Sequence, residues 1–176
     1  MIYAFLADGF EELEAITPID LLRRAGVQVQ TIGVGSGTPT GSHGITVTCD
    51  ATEVDLTACA GVILPGGPGH TRLAQSAMVR DCLAAVAAKG GMLAAICAAP
   101  SILGELGYLH GRRATCYPGF ADKLQGASPV DSPVVVDDNV ITARAAGASI
   151  DFGLACVAYL CGSEKASEIA AQICHV

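Results

Sequence analysis

The stretch Gly91-Met92-Leu93-Ala94-Ala95-Ile96-Cys97-Ala98-Ala99-Pro100 ends an uncharged apolar run on a single thiol. Met92 to Ile96, bounded by Gly90-Gly91, reads as a strand buried on both faces. Pro100 suits the first turn of a helix, where a missing backbone N–H costs nothing. Cys97 therefore sits at a sharp strand-to-helix turn, the geometry of a nucleophile elbow with cysteine in place of serine. Free N–H groups and the positive dipole end of the helix favour thiolate over thiol. A buried, inert thiol is the other reading of the position, and exposure and pKa decide between the two.

Two more loops carry groups that could act beside it. Asp8-Gly9 breaks a first apolar strand, Met1 to Ala7, and leads into the acidic start of a helix, Phe10-Glu11-Glu12-Leu13-Glu14. Gly61-Val62-Ile63-Leu64 reads as another buried strand and ends in Pro65-Gly66-Gly67-Pro68-Gly69, where glycine lets the backbone approach a ligand closely. In parallel α/β sheets, sites collect beyond the carboxyl ends of the strands. The three loops are thus expected at one crevice.

The elements that must position them follow from periodicity. Phe10, Leu13, Ile16, Ile19 and Leu22 lie about one turn apart, predicting an amphipathic helix that ends at Arg23-Arg24-Ala25-Gly26, with Pro18 kinking it. Glu11 and Glu12 read as exposed acids serving the helix dipole. Val27 to Val34 is a strand, Gly33 to Gly44 a polar loop, and Ile45 to Thr48 a short strand of a side layer. Asp81 to Lys89 is helical. The helix after Cys97 ends near Gly104 to Gly107, and Arg113 to Cys116 is a short strand turned by Tyr117-Pro118-Gly119. Val134 to Ala143 reads as a hairpin with a polar tip, Gly147 to Cys161 as an apolar helix, and Ser163 as the cap of a last helix through Ile173. The order predicts a mostly parallel sheet wrapped by helices on both faces, in one domain spanning 1–176.

Composition narrows the partners. A net charge of −7 argues against nucleic acid, which wants a surplus of Lys and Arg. No run approaches the roughly 18 apolar residues of a membrane span, and the N-terminus lacks a positive leader, so a cytoplasmic protein is expected. The eight cysteines include no CxxC pair and no clustered metal ligands; most read as reduced core residues, and no metal or cofactor is expected.

The motifs in order resemble the ThiJ/PfpI superfamily, in its DJ-one/YajL-like branch, over nearly the whole chain. They are Glu11-Glu12-Leu13-Glu14 with Pro18, Asp20 and Arg23-Arg24-Ala25-Gly26, then Leu64-Pro65-Gly66-Gly67, Ala94-Ala95-Ile96-Cys97-Ala98 and Ala143-Arg144-Ala145-Ala146-Gly147. The resemblance implies a flavodoxin-like three-layer sandwich related to class I glutamine amidotransferase domains, and a homodimer. It makes Cys97 the reactive cysteine and Glu14 its protonated partner. It makes the amides of Gly66 and Gly67, with Ala98, the groups facing the sulphur. Tyr117, Pro118, Arg144, Ala146 and His70 are expected around the pocket. Arg24 and Asp20 are expected near the interface, or simply as an i,i+4 pair. His43 falls where the family places an interface arginine.

The chain also departs from the family. Family members with glyoxalase or peptidase activity supply a histidine directly after the cysteine, where this chain has Ala98, or before the proline of a later loop, where it has Tyr117. The resemblance then implies a cofactor-independent hydrolase acting on small dicarbonyls or their protein adducts. The alternative is an oxidation sensor whose Cys97 forms a sulfinate. A cysteine peptidase is the weakest reading, because Ala98 removes the expected base.

Overall fold

The computed structural model describes residues 1–175. Its six-stranded sheet has the order β2-β1-β3-β4-β8-β7. β1 is Ile2–Ala7, β2 Val29–Val34, β3 Gly61–Leu64, β4 Met92–Ile96, β7 Val134–Asp137 and β8 Val140–Ala143. All neighbours pair in parallel except β7, which runs antiparallel to β8 as the outer arm of a hairpin. β5 (Arg113–Ala114) and β6 (Ser128–Pro129) form a small separate pair.

Strand alternation divides the core into two layers. Tyr3, Phe5, Val62, Leu64, Leu93 and Ala95 face one side, packed by α2 (His70–Gln75), α3 (Ala77–Ala88) and α4 (Pro100–Glu105). Ile2, Ala4, Ile63, Met92, Ala94 and Ile96 face the other, packed by α1 (Glu12–Arg24), α5 (Ser149–Cys161) and α6 (Ser163–Gln172). The result is a three-layer α/β sandwich. No helix of the described residues is long and apolar enough to cross a membrane.

Pro18, where a kink is expected, lies inside a helix without a break over Glu12–Arg24 and packs against α5 at Gly153, where a Cβ would lie 3.0 Å from the proline Cα. Several expectations need correction. The buried face of α1 is Glu14, Ala15, Pro18, Ile19, Leu21 and Leu22, while Leu13 and Ile16 are 58% and 41% exposed. Residues 45–48 form no strand; this loop makes only isolated bridges, such as Thr40 to Thr46. Ser163 does not cap α6. Gly162, at φ 91°, closes α5 and opens α6 without a side-chain cap.

Candidate active site

The carboxyl ends of β1, β3, β4 and β8 deliver the expected loops to one place. Cys97 follows β4 with φ 66°, a left-handed conformation rare for a residue with a side chain. Its backbone is fixed on both sides: its N–H donates to the Ala143 carbonyl at 2.9 Å, and its carbonyl accepts from the Tyr117 N–H at 2.8 Å. The turn therefore projects the half-buried thiol away from the strand, and Pro100 opens α4 directly behind it.

Glu14 reaches the sulphur from the first turn of α1. Glu11 caps that helix, its carboxylate accepting from the Glu14 N–H at 2.8 Å. The Glu14 side chain is 1% exposed. Its carboxyl accepts from the Gly66 N–H at 2.9 Å and also hydrogen-bonds the Cys97 thiol and the Ala146 backbone. Gly66 must lack a side chain here: a Cβ would lie 2.7 Å from both the Cys97 Cβ and a Glu14 oxygen. The expectation for Gly66 therefore changes, because its N–H is turned to Glu14. The amides that hydrogen-bond Cys97 are those of Gly67 and Ala98. Gly67 has φ 77°, and a Cβ there would meet the Gly9 carbonyl at 2.5 Å.

The electrostatics couple the two side chains. Burial pushes Glu14 up to about 7, against its hydrogen bonds with Cys97 and Gly66. Burial, followed by the charge of Glu14, pushes the Cys97 thiol up to about 12, against the amides of Gly67 and Ala98. The helix start alone thus does not make Cys97 a thiolate; α4 is short, and burial outweighs it. Repulsion on the sulphur exists only while Glu14 is charged. A proton on Glu14 removes it and provides an O–H donor to S⁻, so the pair titrates as a unit.

The remaining candidates divide. Tyr117 touches the site through its backbone, with its ring half exposed against Phe120. Pro118 and Arg144 line a cavity of about 440 Å³ with Cys116 and Leu124, and Cys97 is not part of that lining. Arg144 pairs with Asp131. His70 donates from Nδ1 to the Gly67 carbonyl at 2.8 Å and packs edge-on against Phe120. It thereby buttresses the loop that presents the Gly67 amide. Among the described residues, the groups that bear on the Cys97 thiol are Glu14, Gly67 and Ala98, with no imidazole among them. Arg24 and Asp20 form an exposed i,i+4 ion pair at 2.7 Å.

His43 and Glu12 depart furthest from expectation. Glu12 is not an exposed dipole acid but is buried. It accepts from the His43 N–H at 2.7 Å, and its other oxygen lies 2.8 Å from His43 Nδ1. His43 is thus engaged within its own chain. Burial opposes ionisation of Glu12, but the hydrogen bonds from His43 and Ile45 outweigh it and hold the carboxyl at about 2. Glu11, Glu12 and His43 place ligand atoms within 4.8 Å of one another, yet both Glu12 oxygens already accept hydrogen bonds. The sequence marks Glu12 only as a helix-start acid, and Phe120 not at all. The Gly41-Ser42-His43-Gly44 turn opposite an acidic helix start was the available signal for Glu12; nothing local marked Phe120.

The fold and this geometry define a class: parallel α/β proteins with a cysteine on a strained strand-to-helix elbow and a carboxyl partner from the first helix. The DJ-1/PfpI family profile matches residues 1–159, and the chain belongs to that family. It is 37% identical to the protein dj-1beta of Drosophila melanogaster over 171 residues, which cover 94% of this chain and 91% of that one. A Pyrococcus abyssi protein named a deglycase is 36% identical, covering 80% of this chain and 87% of its own. A Caenorhabditis elegans protein named a glutathione-independent glyoxalase is 32% identical, covering 93% and 90%. The solved structure of oxidized Toxoplasma gondii DJ-1 superposes with a TM-score of 0.92 at 32% identity, covering 99% of this chain and 98% of that one.

Proposed function

We propose that the chain is a cysteine-dependent stress-response protein that converts small reactive dicarbonyls, or their early adducts on amines and thiols, to hydroxy acids. The observation that carries this reading is the buried Glu14 carboxyl in hydrogen-bond contact with the Cys97 thiol. The names of the deglycase and glyoxalase relatives support it. The Cys97 sulphur adds to the aldehyde carbon of methylglyoxal, giving a hemithioacetal whose developing oxyanion faces the Gly67 and Ala98 amides. Glu14 takes the proton from that carbon and returns it to the neighbouring one, leaving a thioester. Water releases lactate and restores the thiol. Glu14, with its pKa raised to about 7, suits both halves of that transfer at neutral pH.

A second reading is favoured by the thiol's surroundings among the described residues, a carboxyl and two backbone amides with no imidazole, and by the oxidized state named for the Toxoplasma relative. In it, Cys97 oxidises to a sulfinate whose oxygens take the same amides and the Glu14 hydroxyl. Lactate formation from methylglyoxal, abolished in Cys97→Ser, is the expected result. No turnover by folded wild-type protein, with rapid peroxide oxidation of Cys97, would replace the enzyme by the sensor.

A further inference from the structure

A second thiol centre lies at the other end of the sheet. Cys59 and Cys82 are 1% and 0% exposed and belong to the same core layer. Cys59 stands in the turn that enters β3, and Cys82 stands in the middle of α3, which packs on that strand. The two thiols are neighbours that act on one another, and the Cys59 thiol donates to the Gly61 carbonyl at 3.7 Å. Cys97 follows the opposite end of the sheet, separated at least by the length of β3, about 13 Å at roughly 3.3 Å per residue.

Three features distinguish this pair from inert core cysteines. Lys89, at the end of α3, donates to the carbonyls of Leu56 and Thr57 at 3.1 Å each. It staples the turn carrying Cys59 onto the helix carrying Cys82 and brings a positive charge to the pair. The cover is thin as well: residues 55–58 are exposed turn, and Ala60 is exposed on the far side of Cys59. Local opening of such a turn admits a small oxidant without global unfolding. Finally, the two thiols differ in access: Cys59 lies directly beneath the exposed turn, whereas Cys82 is buried at mid-helix.

We propose that Cys59 and Cys82 are a peroxide-oxidisable dithiol that closes to an intramolecular disulfide, a modification site separate from Cys97. The Cys59 sulphur attacks one oxygen of hydrogen peroxide and the O–O bond breaks. The departing hydroxide takes the thiol proton as water, leaving a sulfenic acid. The Cys82 sulphur then attacks the Cys59 sulphur, the S–O bond breaks, and a second water leaves with the Cys82 proton. The two thiols lose two electrons and two protons, and the peroxide is reduced to two waters. Unlike a sulfinate at Cys97, this state is reversed by thiol reductants. It ties the start of β3 to α3.

The test uses the full chain, wild type and Cys97→Ser, treated with hydrogen peroxide at neutral pH. Free thiols are blocked with N-ethylmaleimide in denaturant, and the digest is mapped by mass spectrometry without reduction. The expected result, in both proteins, is a linked Cys59–Cys82 peptide pair lighter by two hydrogens and released by dithiothreitol. In Cys82→Ala, dimedone should capture Cys59 as its sulfenic acid. If Cys59 and Cys82 are both recovered as N-ethylmaleimide adducts under exposure that fully converts wild-type Cys97 to sulfinate, the proposal fails. It fails equally if Cys59 is found joined to a different cysteine. The wild-type map decides the matter even if the Cys82 variant does not fold.

Discussion

Glu14 separates two roles that a static contact joins. Its carboxyl accepts from the Gly66 N–H and also meets the Cys97 thiol. Glutamine at position 14 keeps an acceptor for Gly66 and a donor for sulphur, but it cannot move a proton. Under the proposed activity, Glu14→Gln should lower lactate formation by roughly 10²–10⁴-fold. Alkylation of Cys97 by iodoacetamide should be no slower than in the wild type, because the amide carries no charge to oppose the thiolate and can still donate to it. The comparison is made at Cys97 alone, since the exposed Cys161 and Cys174 are open to the reagent without activation. Equal losses of alkylation and turnover would reduce Glu14 to a support for the thiolate. The sign of the stability effect is fixed too. A carboxyl raised from 4.5 to about 7 by burial favours the fold while protonated below 4.5, and that advantage is lost as pH rises through about 7. The wild-type melting temperature should show this decline, and that of Glu14→Gln should not.

At the scale of elements, the Gly41–Gly44 turn is clamped to the start of α1 through His43, paired with Glu12 at 2.8 Å and more distantly with Glu11 at 3.9 Å. Glu12 is held at about 2, and the hydrogen bond that the His43 ring donates to Glu12, with the carboxylate's charge, raises His43 above its ordinary 6.5. The depressed Glu12 contributes stability above pH 4.5 and loses it as pH falls towards 2. The raised His43 contributes fully below 6.5 and loses its share as pH climbs through its folded value. The clamp is therefore strongest between 4.5 and 6.5. His43→Ala should lower the melting temperature most in that window, with the gap to wild type shrinking on the alkaline side. A gap independent of pH from 5 to 9, read by scanning calorimetry, would show that the turn is held by its backbone bonds instead.

For the whole molecule, the exposed face of α1 is the informative surface. Leu13 and Ile16 stand on it at 58% and 41% exposure, on a helix whose other side is core. We propose that a second copy of the chain covers this face, as the family resemblance implies. Sedimentation at micromolar concentration should give a dimer, and Leu13→Glu should shift it to monomer without unfolding, since that side chain supports no core contact. A wild-type monomer under those conditions would refute the assignment.

Local signals settled much of this protein. Unbroken apolar runs marked β3 and β4, glycine and proline marked their ends, and Cys97 was legible as an elbow because strand, thiol and Pro100 are contiguous. Each of these rests on backbone preferences within a few residues. What the tertiary structure alone decided involves partners distant in sequence. The Gly66 amide turns to Glu14, leaving Gly67 and Ala98 to the sulphur. Glu12 is buried because the turn at His43 folds over it. Leu13 and Ile16 stay outside because Pro18, Leu21 and Leu22 occupy the side that meets α5. Cys59 meets Cys82 across a strand and a helix. Hydrophobic periodicity specifies that a helix has a buried face, but several faces of α1 were apolar enough to serve. The choice fell to packing against α5, through a glycine at position 153 that no pattern near α1 could announce.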